Sequence, residues 1–393
     1  MKQQAPTVIL TGGGSGGHVV PLLSLAQELK SQNPDCQIVY IGNKGDGFDT
    51  FQKSSHDFDF IAFIKAGKFR RYDTLRFAKG FFYPDIFIKN IRDFLKFPGS
   101  VIASARILRK FRPQVVFSKG SFVALPVAVA ARLLGIPVVT HDSDTVPGLA
   151  NRLIGRWAAI HATGMPAEFY DYPKHSTFYV GIPIDPGIRK VTPKIQKNSK
   201  LALGLPAESK VLLVSGGSGG AVQINKLMLQ IAPELLQNDL SVHLLHITGR
   251  NHEEPVRDAY GALAAAVRKR VTVIGYSDNF AGLAAAADLV ITRAGANTMA
   301  ELAAAARPCI VIPSPHLASG HQLKNAESLA RADAAAVAPA DVTADELMVM
   351  IKSLLDDDKR RFELARNLYA TAKPDASREL AALILKVAAG RRV

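Results

Sequence analysis

The chain has 393 residues, 48% hydrophobic and 21% charged, which suits two α/β cores and excludes a disordered or fibrous chain. Its formal charge of +14 asks for an anionic partner or surface, a demand that nucleic acid, acidic lipid and phosphorylated substrates all meet. Cys36 and Cys309 stand alone, giving neither a disulfide framework nor a zinc pattern and fitting a reducing cytoplasm, and the opening MKQQAPTVILTGGG lacks a secretory signal.

In chain order, Thr7 to Thr11 reads as a strand, followed by a glycine turn holding Ser15, Gly16, Gly17 and His18 and a helix from about Val19 to Lys30. Gln37 to Ile41, Val115 to Ser118 and Pro137 to His141 are further short apolar strands, as expected of a parallel sheet covered on both faces. Between them, Lys65 to Lys96 mixes basic residues with Phe69, Phe77, Phe81, Phe82, Phe87 and Phe94. The apolar stretch from Val123 to Val139 contains Pro126, Arg132 and Pro137, so it reads as a helix, a stop at Gly135 and a buried strand rather than a membrane span.

From Asp185 to Lys210 the chain turns polar and lysine-rich, with prolines at 186, 193 and 206, and reads as a linker. The pattern then restarts: KVLLVSGGSGGAVQINKLMLQIAPEL from Lys210 echoes TVILTGGGSGGHVVPLLSLAQEL from Thr7. Strands follow at Val242 to Ile247, Val271 to Ile274, Leu289 to Thr292 and Cys309 to Ile312. The expected organisation is two doubly wound parallel-sheet domains, 1–185 and 210–375, joined by a linker at 186–209 and facing each other across a cleft. A last helix within 376–393 is expected to pack back on the first domain.

A glycine turn between strand and helix lets backbone N–H groups approach a ligand, and the helix start favours negative charge. Neither turn is a Walker A loop, since no Gly-Lys-Ser/Thr follows. Neither is a dinucleotide fingerprint, since Gly42 and Asn43 stand where an acid would follow the second strand. One such turn is weak evidence for a ligand; two heading paired domains are stronger.

TGGGSGGHVVP at Thr11, GIPVVTHDSDTVPGLANRLI at Gly135, SGGSGGAVQIN at Ser215, TRAGANTMAELAAAARPCIVIPSPH at Thr292 and HQLKNA at His321 together resemble the MurG family, bacterial N-acetylglucosaminyltransferases of glycosyltransferase family 28. The resemblance runs nearly the full length. It implies the GT-B architecture, with the donor UDP-N-acetylglucosamine held mainly by the second domain and a lipid-linked muramyl acceptor, lipid I, by the first. It implies no resident cofactor, beyond a divalent cation that could travel with the diphosphate.

Glu301 lies on the first turns of the helix after Leu289 to Thr292, where a carboxylate can accept from both ribose hydroxyls. The resemblance matches it to a ribose-binding glutamate and puts Ala296, Asn297, Thr298, Met299 and Ala300 in the adjoining donor loop. It likewise points to Ser218, Gly219 and Gly220 for the diphosphate, to Ser277 on the donor side, and to Gln322 with His321 for sugar hydroxyls. The alternative for Ser218 is a turn-stabilising serine. His18 at a helix start would stay neutral and could take a proton from an acceptor hydroxyl, or could merely cap the helix or contact phosphate.

Several positions depart from the family pattern. His141-Asp142-Ser143-Asp144 replaces His-Glu-Gln-Asn, so Asp144 would meet sugar or acceptor through a carboxylate; a metal reading of these acids is weakened because alternate strand residues face opposite ways. Asp185 stands where an arginine meets the donor, and Lys119, Arg189 or Arg293 are the candidates to compensate. Phe122 replaces a tyrosine, and His321 a glutamine.

The basic aromatic segment 65–96 suits an anionic membrane surface, with Lys68, Arg70, Arg71, Arg76 and Lys79 drawing lipid headgroups; no recognition fold supports nucleic acid. The expected place is therefore the cytoplasmic face of the cell membrane, peripherally bound. Rival readings are a transferase using another lipid such as diacylglycerol, a UDP-sugar 2-epimerase, and a non-catalytic sugar-nucleotide-binding subunit.

Overall fold

The computed structural model describes residues 5–13, 16–45, 56–67, 84–217, 219–315 and 320–391, with the backbone alone at 16–20 and 84–89. Residues Met1–Ile184 and Lys373–Val393 form one compact unit and Asp185–Ala372 another.

In the first unit, seven parallel strands take the order β3-β2-β1-β4-β5-β6-β7: β1 Thr7–Thr11, β2 Gln37–Asn43, β3 Phe60–Ile64, β4 Val115–Ser118, β5 Val138–Asp142, β6 Ile160–Thr163 and β7 Thr177–Tyr179. Strands β1, β4, β5 and β6 are buried throughout, because helices cover both faces. The order reverses between β1 and β4, where Thr11 pairs with Ser118 and the strand ends open a crevice. Helix α1, Gly16–Gln32, follows β1. The helices Pro84–Leu95 (α2), Phe97–Phe111 (α3), Ala124–Leu133 (α4) and Leu149–Ile154 (α5) come next in the chain.

The second unit repeats the plan with six parallel strands in the order β10-β9-β8-β11-β12-β13: β8 Lys210–Ser215, β9 Val242–Ile247, β10 Val271–Ile274, β11 Leu289–Thr292, β12 Cys309–Val311 and β13 Ala336–Val337. Its order reverses between β8 and β11, with Ser215 opposite Thr292. The helices that matter below are α6 Pro193–Ala202, α7 Val222–Asn238, α8 Glu253–Gly261, α9 Phe280–Ala286, α10 Ala296–Ala305 and α11 His321–Arg331.

One stretch differs from the sequence expectation and one agrees with it. The lysine-rich segment 186–209 is part of the second unit: Thr192 caps α6, and the helix packs against α9. Lys200, only 7% exposed, pairs with Asp288 at 2.8 Å and donates to the Ser209 carbonyl, while Asp288 also accepts from Gln196 and from the Val211 amide. Composition read the segment as a linker; one of its lysines is an anchor.

The stretch that agrees is the C-terminus. Helix α12, Ala376–Ala388, lies against α1, and its Leu380 and Ile384 are fully buried beside Leu22, Leu25 and Leu29. It belongs to the first unit's core. No helix among the described residues is long and apolar enough to cross a membrane.

Candidate active site

The second glycine turn leaves β8 at Ser215 and enters α7 at Val222. Gly217 and Gly220 have φ of +84° and +75°, conformations that favour glycine. A Cβ on Gly220 would stand 2.0 Å from the Thr248 carbonyl oxygen, so the turn must come bare against the corner after β9. Ala221 N-caps α7 without a side-chain cap, as suits a helix start that meets an anion. Ser218 lies outside the described residues.

Beside this turn, β11 leads through Arg293 and Gly295 into α10. Glu301 is half-buried, and no hydrogen bond or ion pair engages its carboxylate among the described residues. Burial, and secondly the charge of Asp185, raise its pKa to about 7. Ala296 and Met299 turn into the core, leaving their backbone to meet a ligand, while Asn297, Thr298 and Ala300 are half-buried.

Asp185 does not stand in for a cation. Its Oδ1 accepts from the Gly187 amide at 2.6 Å, capping its own turn. Arg293 does not compensate either: its guanidinium donates to the Ile312 and Pro313 carbonyls and to Gln223 Oε1. Arg189 is exposed. Gln322 is buried and its Oε1 accepts from the Ser314 amide at 2.9 Å, leaving the side-chain N–H groups to donate. His321 opens α11. Ser277 is half-buried and accepts from the Asn279 amide.

In the first unit, Gly16 and Gly17 begin α1, and Tyr40 fixes the start of the turn by donating to the Gly12 carbonyl at 2.5 Å. Ser15 and the His18 side chain lie outside the described residues. The next strand end is the Lys119-Gly120-Ser121 turn, tied to β1 by the Lys119 amide donating to Thr11. Gly120 and Ser121 both have positive φ, +90° and +75°, and the buried Ser121 hydroxyl has no partner among the described residues. A strained, non-glycine residue with an orphaned hydroxyl at a strand end is a common mark of a site.

Lys119 is buried, and its ammonium donates to His141 Nδ1 and to the Ser143 hydroxyl. Burial lowers its pKa to about 8 against the opposing pull of Asp142 and Asp144. His141 donates through Nε2–H to the Gly181 carbonyl at 2.8 Å, so its neutral ring offers Nδ1 as acceptor; burial and then Lys119 hold its pKa well below the usual range. Lys119 is thus engaged by His141 and Ser143.

Asp142 faces the other way, accepting from Asn151 and Tyr172, and burial raises its pKa. The Asp144 carbonyl accepts from Tyr170. Asn151, Tyr170 and Tyr172 escaped sequence reasoning because no local spacing links them to β5. Among the described residues, no three His, Cys, Asp or Glu side chains gather as a metal site requires.

Of the segment 65–96, residues 68–83 lie outside the described residues. At its described end, Ile91, Phe94 and Leu95 are 45%, 61% and 72% exposed, and Ile102 on α3 is 54% exposed. Arg92 and Lys96 flank them and reach the buried Asp93.

Two parallel sheets, each reversing its order beside a glycine turn, define the GT-B class of glycosyltransferase. The N-terminal and C-terminal domain models of glycosyltransferase family 28 match residues 8–163 and 211–380, and the chain belongs to that family. It is 31% identical, over 96% of its length and 98% of the relative's, to a protein from Natranaerobius thermophilus named UDP-N-acetylglucosamine--N-acetylmuramyl-(pentapeptide) pyrophosphoryl-undecaprenol N-acetylglucosamine transferase. Among solved structures, MurG of Acinetobacter baumannii superposes with a TM-score of 0.68 at 22% identity, covering 97% of this chain and 99% of that one. A UDP-GlcNAc 2-epimerase from Neisseria meningitidis, bound to UDP-GlcNAc, gives 0.64 at 12% identity, covering 97% and 100%. The fold alone therefore does not choose between transferase and epimerase; sequence does.

Proposed function

We propose that the protein transfers N-acetylglucosamine from UDP-N-acetylglucosamine to the C4 hydroxyl of the muramyl sugar of lipid I, with inversion, giving lipid II for peptidoglycan. The observation that carries this reading is the similarity to the named transferase over 96% of the chain, spanning both units. An epimerase would need no lipid-linked acceptor.

In this reading the second unit holds the donor. Glu301 accepts from the ribose hydroxyls, and its lack of a partner among the described residues supports that role. The amides of Gly219 and Gly220, with Ser218, meet the diphosphate, Asn297 and Thr298 adjoin it, and Gln322 donates to sugar hydroxyls. The first unit holds the acceptor, with Gly16, Gly17 and Ser15 at the turn and Asp144 at its rim.

A base, for which His18 is the candidate, removes the C4 hydroxyl proton. The oxygen attacks the anomeric carbon, the bond to the β-phosphate oxygen breaks, and UDP leaves with the electron pair. Donors held ready for the leaving charge are worth about 3 kcal/mol each. The exposed Ile91, Phe94, Leu95 and Ile102 with their basic neighbours support peripheral binding to an anionic membrane at its cytoplasmic face.

The test is UDP release with a short-chain lipid I analogue. Release that requires the muramyl acceptor supports the reading. Turnover of UDP-N-acetylglucosamine without acceptor, or with diacylglycerol alone, overturns it.

A further inference from the structure

A row of buried polar side chains in the second unit leads from the core to the glycine turn. Tyr260 on α8, His246 on β9 and Asn225 on the first turn of α7 are 2%, 0% and 4% exposed. Asn225 Nδ2 donates to the Thr248 carbonyl at 3.0 Å, which leaves its Oδ1 as the acceptor facing His246 Nε2 at 3.1 Å. His246 therefore carries its proton on Nε2, and Nδ1 accepts from the Tyr260 hydroxyl at 3.1 Å. Burial lowers the His246 pKa to about 4, keeping the ring neutral. Donation thus runs one way, from Tyr260 through His246 and Asn225 to a single backbone oxygen.

That oxygen touches the turn. The Thr248 carbonyl is the atom a Cβ on Gly220 would meet at 2.0 Å, and the Gly219 carbonyl lies 2.5 Å from where a Cβ on Gly249 would stand. The Thr248-Gly249 corner and Gly219-Gly220 are in backbone-to-backbone contact with no side chain between them, so a shift in one passes to the other. Filling the same core volume would need only apolar groups, and a buried polar network is kept without penalty only when each member is satisfied.

We infer that Tyr260, His246 and Asn225 are positioning residues that set the Gly219 and Gly220 amides for the diphosphate of the sugar nucleotide. This rests on the assignment of that turn to the diphosphate under the proposed function. None of the three touches the ligand; each acts through Thr248.

The test compares the affinities of the full chain for UDP and for uridine, which lacks the phosphates and so does not report on the turn. In Tyr260→Phe and Asn225→Ala the expected result is about tenfold weaker UDP binding, the worth of one well-placed hydrogen bond, with uridine affinity and the KM for acceptor unchanged. Equal losses for UDP and uridine, or no loss for UDP, overturn the inference. Should Asn225→Ala not fold, Tyr260→Phe decides, since it removes one oxygen from a packed ring. A wild-type chain that binds no UDP brings down the proposed function and this inference together, whereas unselective variants of a UDP-binding chain bring down the inference alone.

Discussion

Glu301 is a carboxylate that burial and Asp185 have made a weak acid, with a pKa of about 7. A ribose hydroxyl donates better to the ionised form, so UDP affinity should rise as pH increases through 7. Calorimetry between pH 5.5 and 8.5 checks this: Glu301→Gln should flatten the profile and weaken UDP about a hundredfold at high pH, the loss of two charge-assisted bonds. Asp185→Asn removes the repelling charge, so the rise should move to lower pH. Because the folded pKa is raised, the folded chain should also lose stability as pH climbs from the ordinary carboxylate range through 7, and Glu301→Gln should abolish that loss. The place of Glu301 on the helix after β11 was legible in the sequence because a glycine-led helix start is a local signal. The employment of Arg293 was not, since its carbonyl partners come from the loop after β12.

At the scale of elements, α6 depends on one buried ion pair. Lys200 and Asp288 are 7% and 18% exposed and share further bonds with Ser209, Gln196 and Val211. Removing one partner strands the other, so Lys200→Met should cost about 3–5 kcal/mol in urea unfolding. A cost below 1 kcal/mol would show the segment to be the loose linker its composition suggests.

Two strands carry buried histidines that burial holds near pKa 4, His161 on β6 and His246 on β9. Both folded values lie below the ordinary 6.5 of an unfolded chain, so stability is complete above 6.5 and lost as pH falls toward 4. Each can cost up to about 3 kcal/mol. Glu301 opposes this loss over the same window, so the check is made in the Glu301→Gln background: a melting temperature that holds steady there from pH 7 to 4, or that falls equally after a further His161→Gln, would contradict this account.

The inner strands were readable as apolar β-branched runs, and β1, β4, β8, β9 and β11 lie where those runs fall. The edge strands β3 and β7 were missed: β7 is only three residues long, and the FIAFI run of β3, though wholly apolar, was passed over. Strand β6, four residues with a buried histidine and one threonine beside Ile160 and Ala162, was missed as well.

For the whole molecule, the repeated strand–turn–helix opening was the most informative feature of the sequence, since it implied two sheets of one design. The polar network of Lys119, His141 and Gly181 joins residues far apart in the chain, which no short window could reveal. Vesicle sedimentation addresses the exposed apolar residues of α2 and α3. Ile91→Ser with Phe94→Ser should reduce binding to anionic vesicles about a hundredfold or more, each lost side chain forgoing about 1.5–3 kcal/mol if fully buried. Release of UDP with a soluble acceptor analogue should persist.

Helix α12 gives the molecule an unusual order of completion. Leu380, Ala381, Leu383 and Ile384 complete a core whose other walls were synthesised first. A chain ending at Ala372 should lose about 6 kcal/mol of burial, comparable to a domain's entire stability, and near-ultraviolet circular dichroism of that truncation would register the collapse. During translation, residues 185–372 must all emerge before the missing wall arrives, an interval of roughly 10–40 s at ribosomal speed. The first unit is therefore sealed only after the second has been made, its greasy interior held open until α12 emerges.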